Sequence, residues 1–129
     1  MKDKYILDSS IWIEIERNNE KICGRVLPLI QKNKVCLVDV IVAEVLRGVK
    51  TNKDFVTLKD AFSCYTQLSV AWDDVAELAF KLARHGQQPP LLDVYIACAT
   101  LQNHKIIVTQ DKHFSKIANV VPLQYELLR

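Results

Sequence analysis

The sequence contains little of what marks fibrous, membrane-spanning or secreted chains. Its three glycines and four prolines among 129 residues exclude collagen-like and low-complexity sequence. No apolar run approaches the roughly 20 residues needed to cross a bilayer, and Asp8 interrupts the first apolar run too early for a signal peptide. Net charge is also small, +2 from 17 basic and 15 acidic residues, and indicates no class of partner. We therefore expect a cytoplasmic protein without a membrane segment.

The cysteines provide no obvious framework for cross-linking or metal binding. None of the four (Cys23, Cys36, Cys64 and Cys98) has the close spacing of a zinc knuckle or a redox motif. All have apolar neighbours, as in VCLV and YIACA, so we expect buried, reduced thiols. Half of the residues are hydrophobic and the length is that of one domain. We expect residues 1–129 to form a single domain that folds without a disulfide bond or a structural metal ion.

Short apolar runs alternate with segments of helical periodicity. The predicted strands are Tyr5 to Leu7, Val35 to Val38, Cys64 to Val70 and Ile106 to Val108, with an edge strand around Val120. The predicted helices are Ile11 to Arg17, Ile22 to Ile30 with a distortion at Pro28, Val40 to Arg47, Phe55 to Phe62, Val75 to Leu82 and Leu92 to Gln102. Expected helix caps are Ser9 or Ser10, Asp39, and Asp73 or Asp74. This order predicts a three-layer α/β/α sandwich with a central, mainly parallel sheet of four to five strands.

Four acidic residues do not fit the pattern of solvated surface charge. Asp8 directly follows the first strand and Asp111 follows the fourth, so both belong at the carboxyl edge of the sheet, where such folds bind ligands. Asp93 lies among apolar residues in the first turn of a helix, where an interaction with the helix dipole is the alternative explanation. Glu44 lies within VIVAEVLRG, and an ion pair with Arg47 is its alternative.

Together, these carboxylates indicate a cation site. Carboxylates at one sheet edge repel each other, and burial raises their pKa unless a cation neutralises them. Oxygen ligands without a paired histidine or thiol favour Mg²⁺ or Mn²⁺ over Zn²⁺. Such an ion acidifies water and offsets charge on a phosphoryl group, so phosphodiester hydrolysis is the predicted chemistry.

Four segments also resemble, in order, the motif blocks of PIN-domain ribonucleases, in particular the small single-domain toxins of the virulence-associated protein C (VapC) group. The segments are YILDSSIWIEI, IVAEVLRGV, LLDVYIACATL and IIVTQDKHFSKI, and the resemblance extends from Tyr5 to about Leu123. It implies a PIN-like fold and a metal-dependent endoribonuclease that uses Mg²⁺, with Mn²⁺ as the alternative. It also implies an RNA substrate, a cognate antitoxin protein and a homodimer.

The resemblance implies roles for individual residues. The metal-binding, catalytic acids would be Asp8, Glu44, Asp93 and Asp111, and the supporting hydroxyl residues would be Ser10 and Thr109. His113 is a departure, because many relatives carry another aspartate at this position. The Gln-Gln-Pro-Pro centre of the loop GQQPPLLD is also unusual.

Three functions remain open at this stage. The first is the toxin of a type II toxin–antitoxin system, whose partner would place an Arg or Lys among the carboxylates and an apolar helix against Ile11, Trp12, Ile15 and Val45. The second is a housekeeping PIN nuclease for ribosomal or transfer RNA maturation. The third is a receiver-like or other metal-binding signalling module, although the strand region CYTQLSV ends without an aspartate to accept a phosphate.

Overall fold

Strands and helices alternate along the whole described chain, which in this computed structural model is residues 3–129. Within this range the five strands are β1 (Tyr5–Leu7), β2 (Val35–Val38), β3 (Gln67–Leu68), β4 (Ile106–Thr109) and β5 (Gln124–Leu127). The helices of the same range are α1 (Ser9–Glu16), α2 (Glu20–Gln31), α3 (Asp39–Arg47), α4 (Asn52–Phe62), α5 (Trp72–Arg84), α6 (Leu91–Gln102) and α7 (His113–Ala118). Across residues 3–129, no helix combines the length and apolarity needed to cross a membrane.

The strands form one parallel sheet in the order β3-β2-β1-β4-β5. From β1 the chain builds the sheet outward to β3, then crosses to the other side of β1 and continues outward to β5. This reversal leaves a crevice at the carboxyl ends of β1 and β4, the position at which open α/β sheets bind ligands. Asp8 and Asp111 follow these two strands.

Helices cover both faces of the sheet. Ile6 and Ile107 pack into a cluster with residues of α3, α5, α6 and α7. Leu7 and Val108 point to the opposite face and pack with α1 and α2. Because successive strand residues face opposite sides, continuous apolar strands need cover on both. The predicted three-layer α/β/α architecture is confirmed, with a fully parallel sheet.

Two strand predictions were wrong in their bounds. The third strand is only Gln67–Leu68, since the amides of Cys64 and Tyr65 bond back to α4 carbonyls and complete the turn that ends this helix. The edge strand is Gln124–Leu127, since the amide of Val120 bonds to the Ile117 carbonyl and extends the turn after α7. In both cases local hydrogen bonds to the preceding helix compete with strand pairing.

The predicted helix caps were also wrong. Asp8 rather than Ser9 or Ser10 caps α1, because its carboxylate accepts a hydrogen bond from the Ser9 amide at 2.9 Å. Both serines belong to the helix, and so do Ile11, Ile13 and Ile15, whose alternation would also have suited a strand. Asp39 is the first residue of α3, which Val38 precedes as cap.

Asp73 and Asp74 lie in the first turn of α5, whose cap is Ala71, and interact with the helix dipole there. Pro28 lies inside α2, which continues through it to Gln31.

The cysteines only partly match the expectation of buried thiols. Cys36 and Cys98 are buried, and burial raises the pKa of the Cys36 thiol to about 11. Cys23 is half-buried and Cys64, just after α4, is exposed. All four are free thiols in the described chain, as predicted.

Candidate metal and catalytic site

The fold brings the four predicted acids to the carboxyl edge of the sheet. Asp8 follows β1, Asp111 follows β4, Asp93 lies in the first turn of α6, and Glu44 lies on α3, which begins where β2 ends. Their proximity is evident from their electrostatics. Burial is the largest cause of the raised pKa of both Asp8 and Glu44, and neighbouring acids raise each further: Asp93 and Asp111 act on Asp8, and Asp8 and Asp93 act on Glu44.

Asp8 is the most deeply buried of these carboxylates, with 6% of its surface exposed. The Ser9 amide donates to its Oδ1 at 2.9 Å, and the Thr109 hydroxyl donates to its Oδ2 at 2.8 Å. Burial is the main cause that raises the pKa of Asp8, while these two hydrogen bonds lower it. Both oxygens are therefore fixed in position on a carboxylate that is short of counter-charge.

Thr109 connects the two strands that border the crevice. Its hydroxyl donates to Asp8 and accepts a hydrogen bond from the Asp111 amide at 2.9 Å, and the residue is fully buried. This geometry is consistent with the supporting role predicted for Thr109. Ser10, the other predicted supporting residue, instead accepts a hydrogen bond from the Gln110 amide at 3.4 Å.

Asp93 and Asp111 flank His113, the residue at the position where many members of the resembled family carry another aspartate. The Nδ1 atom of His113 lies 2.8 Å from Asp93 Oδ2 and 3.1 Å from Asp111 Oδ1. Potential ligand atoms of these three residues lie within 4.8 Å of one another, a set to which Asp8 and Glu44 do not belong. A histidine therefore lies beside two of the four predicted acids, a pairing that was not predicted from the spacing of the sequence.

A sequence signal for this histidine did exist. In the segment TQDKHF, His113 stands two residues after Asp111, and its amide donates to the Asp111 carboxylate at 2.9 Å in a tight turn before α7. That turn directs the imidazole back over the first turn of α6. The position is also the one at which the resembled family carries a further acid.

Burial and mutual repulsion leave this group of acids short of positive charge. Burial is the largest cause that raises the pKa of both Glu44 and Asp93. Asp111 further raises the pKa of Asp93, which the His113 hydrogen bond partly offsets. Arg47 and the Ser9 side chain lower the pKa of Glu44, but their effects are smaller than those of burial and of the neighbouring acids, which raise it. A bound cation would relieve this repulsion, and carboxylate oxygens suit a hard divalent ion, so the residues fit a metal site.

Comparison with known proteins agrees with the fold. The PIN domain family model matches residues 5–120. A chain of VapBC2 from Rickettsia felis, solved bound to a DNA fragment from their promoter, shares 18% identity at a TM-score of 0.76 over 97% of this chain and 98% of that chain. VapBC-1 from nontypeable Haemophilus influenzae shares 20% identity at a TM-score of 0.74 over 95% and 96%. A toxin–antitoxin complex from Klebsiella pneumoniae shares 18% at a TM-score of 0.71 over 93% and 98%. No curated protein matches the sequence.

Proposed function

This chain belongs to the PIN domain family, and we propose that it is a metal-dependent endoribonuclease that acts in the cytoplasm as the toxin of a type II toxin–antitoxin system. PIN domains are a family of nucleases, which supports hydrolysis of phosphodiester bonds. The observation that carries the proposal is the convergence of Asp8, Glu44, Asp93 and Asp111 at the crevice between β1 and β4.

The site chemistry follows from these carboxylates. They would hold Mg²⁺ or Mn²⁺, which acidifies water and offsets the charge on a phosphodiester group. Hydrolysis then adds water across one P–O bond, and the leaving oxygen takes up a proton. Asp8 is held rigidly beneath the site by Ser9 and Thr109. The side chains of Asp93 and Asp111 are 17% and 36% exposed, so they remain accessible to a substrate phosphate.

Cleavage of RNA by the purified protein tests the catalytic part of the proposal. The wild type is incubated with total RNA in Mg²⁺, in Mn²⁺ and in excess chelator, alongside Asp93→Asn. Asp73→Asn is the matched control, because Asp73 is also a first-turn helix acid but is exposed on α5. We expect cleavage only with metal, and only by the wild type and the control. Full cleavage by verified metal-free protein, or equal loss of activity in both variants, would contradict the proposal.

A groove between α1, α3 and α4 supports an antitoxin partner. Its volume is about 350 Å³, and its mostly apolar lining comprises Trp12, Ile15, Val45, Val49, Thr57, Leu58, Ala61 and Phe62 with Glu16 and Asp54. Ile11, which had been expected on this surface, is fully buried in the core instead. Glu16 and Asp54 in the lining would attract a basic segment, and the apolar residues of the lining would bind a helix with one apolar face.

Trp12 contributes its ring to the lining of this groove. Its Nε1 atom is buried, and no residue in the described range 3–129 accepts a hydrogen bond from it. The ring itself is held edge-to-face against Phe62, with centroids 5.2 Å apart. Because this donor is enclosed by the protein and unpaired, it carries a desolvation cost of about 1–3 kcal/mol, which the packing of the ring offsets.

Co-expression with the neighbouring gene tests the toxin assignment. We expect the protein alone to arrest growth and degrade RNA, and co-expression to restore growth and yield a stable complex. Ala61→Arg introduces a bulky cation into the groove and should weaken the complex, whereas Ala76→Arg, at an exposed site on α5, should not. Harmless expression of the intact protein alone, with no partner recovered, would favour the RNA-maturation nuclease.

Exposed apolar residues on α5 and the start of α6 support a homodimer. Trp72, Phe80 and Leu91 are 55%, 67% and 57% exposed, and Leu92 is exposed beside them. Burying them against a second copy would remove this surface from water. Sedimentation should show a dimer that Phe80→Glu disrupts and that Phe55→Glu, on α4, leaves intact. A monomeric wild type would contradict this part of the proposal.

A further inference from the structure

His113 directs a nitrogen atom into the group of acids at the site. Its Nδ1 lies 2.8 Å from Asp93 Oδ2 and 3.1 Å from Asp111 Oδ1, while its side chain is 41% exposed. When Nδ1 carries a proton it donates to these carboxylates, and when it does not, it offers a lone pair toward the same space. The same placement therefore suits a hydrogen-bond donor and a metal ligand.

The distances between these atoms match those between neighbouring ligands of one ion. Adjacent ligands of an octahedral ion at about 2.1 Å lie about 3 Å apart. The two separations from His113 Nδ1 bracket this value. Little movement of the three side chains would be needed to bind an ion, which reduces the free energy spent on ordering the site.

From this geometry we propose that His113 is a nitrogen ligand of the metal site and makes the site select Mn²⁺ over Mg²⁺. The inference rests on the proposed function, because it concerns the same cation. Mg²⁺ strongly prefers oxygen ligands, whereas imidazole is a favourable ligand for transition metals. An acid at this position, as in the resembled family, would complete an all-oxygen set, so His113 changes the ion that the site prefers.

Pulsed electron paramagnetic resonance of the Mn²⁺-loaded wild type tests the proposal directly. A directly bound imidazole nitrogen produces a hyperfine coupling to the unpaired electrons of Mn²⁺, and ¹⁵N-histidine labelling should change this coupling. The sequence has only two other histidines, His85 and His104, both exposed and outside the site. His85→Ala should therefore retain the coupling, and His113→Asn should lose it.

The two substitutions of His113 separate a ligand from a hydrogen-bond donor. In His113→Asn the side-chain NH₂ can still donate to Asp93, but the amide nitrogen has no lone pair to offer a metal, so the nitrogen ligand is lost. His113→Asp provides an oxygen ligand in place of nitrogen. We expect calorimetry to show Mn²⁺ bound at least tenfold more weakly by His113→Asn, and a Mn²⁺-to-Mg²⁺ affinity ratio about tenfold lower in His113→Asp than in the wild type.

Each outcome has a distinct meaning. A coupling that is absent from the wild type, or that persists in His113→Asn, would overturn the proposal, as would an unchanged affinity ratio in His113→Asp. If Mn²⁺ binds and RNA is cleaved without the coupling, only the role of His113 fails. If the wild type binds Mn²⁺ no better than Asp93→Asn does, the metal site itself fails. The labelled wild-type spectrum decides between these outcomes even if a variant does not fold.

Discussion

The Thr109 hydroxyl is the contact whose removal should most clearly reveal how the site is built. Thr109→Val keeps the shape of the side chain and removes both hydrogen bonds that the hydroxyl makes, to Asp8 Oδ2 at 2.8 Å and from the Asp111 amide at 2.9 Å. We expect the metal-free protein to lose stability. We also expect metal affinity to fall about 10- to 100-fold, because Asp8 and Asp111 lose the group that positions them.

The magnitude follows from the type and burial of each bond. A hydrogen bond to a charged group contributes about 1.5–3 kcal/mol, and one between neutral groups about 0.5–1.5 kcal/mol. Asp8 is 6% exposed and Thr109 is not exposed at all, so water cannot easily replace the bond between them. The unfolding free energy should therefore fall by about 3 kcal/mol. For a chain of this size that corresponds to about 10 °C in Tm.

Chemical denaturation of metal-free protein measures this loss, with Thr109→Ser as the control. Serine retains the hydroxyl and loses one buried methyl group, for about 1 kcal/mol. In an Asp8→Asn background the bond is no longer charge-assisted, so Thr109→Val should be milder there by about 1 kcal/mol. If Thr109→Val and Thr109→Ser destabilise the protein equally and the cycle shows no coupling, the hydroxyl does not hold Asp8.

Three further predictions concern the charge of the site. Asp8, Asp93 and Glu44 have pKa values raised from 3.8, 3.8 and 4.5, so above these values the folded metal-free protein binds more protons than the unfolded chain. Its unfolding free energy should thus fall as the pH rises from about 4 through the raised pKa values. An Asp8→Asn, Asp93→Asn double variant whose unfolding free energy changes with pH at the same slope would contradict this. Mg²⁺ or Mn²⁺ at about 100 times its Kd should raise the unfolding free energy by about 2.7 kcal/mol at pH 7, which thermal unfolding measures. If adding the ion to metal-free protein does not shift Tm, binding is excluded. Asp8→Asn should abolish RNA cleavage while metal-free stability holds or rises, because a buried charge is removed; a clear drop in Tm would show that the lost hydrogen bonds outweigh the repulsion.

The central strands and the main acids could be predicted because their signals are local. The runs YIL, VCLV and IIV form β1, β2 and most of β4, and an acid that follows such a strand must lie at the sheet edge. Asp8 and Asp111 were found in this way. Asp93 and Glu44 required the family resemblance as well, because a helix dipole or an ion pair explains either one locally.

Other features depend on contacts that no local pattern contains. The edge strand β5 has two exposed residues, and Arg25 holds its Glu126 through two hydrogen bonds of 2.6 and 2.7 Å across 101 residues of sequence. His113 contacts Asp93 across 20 residues, through a turn formed with its neighbour Asp111. That the buried Trp12 Nε1 has no acceptor among residues 3–129 can be known only once the surrounding helices are packed. Each is a property of the assembled fold.

The position of β1 between β2 and β4 has a consequence during synthesis on the ribosome. Asp8 and Thr109 are 101 residues apart, and at about 5–20 residues per second a nascent chain requires roughly 5–20 s to go from one to the other. Asp93 is added only near the end of that interval and Asp111 after it, so for most of that time the chain contains Asp8, and later Glu44, without the other two acids. The groove, in contrast, is formed by residues from Trp12 to Phe62. A partner that recognises these early helices would therefore find its binding surface before the nuclease could be assembled, so that inhibition would precede activity in time.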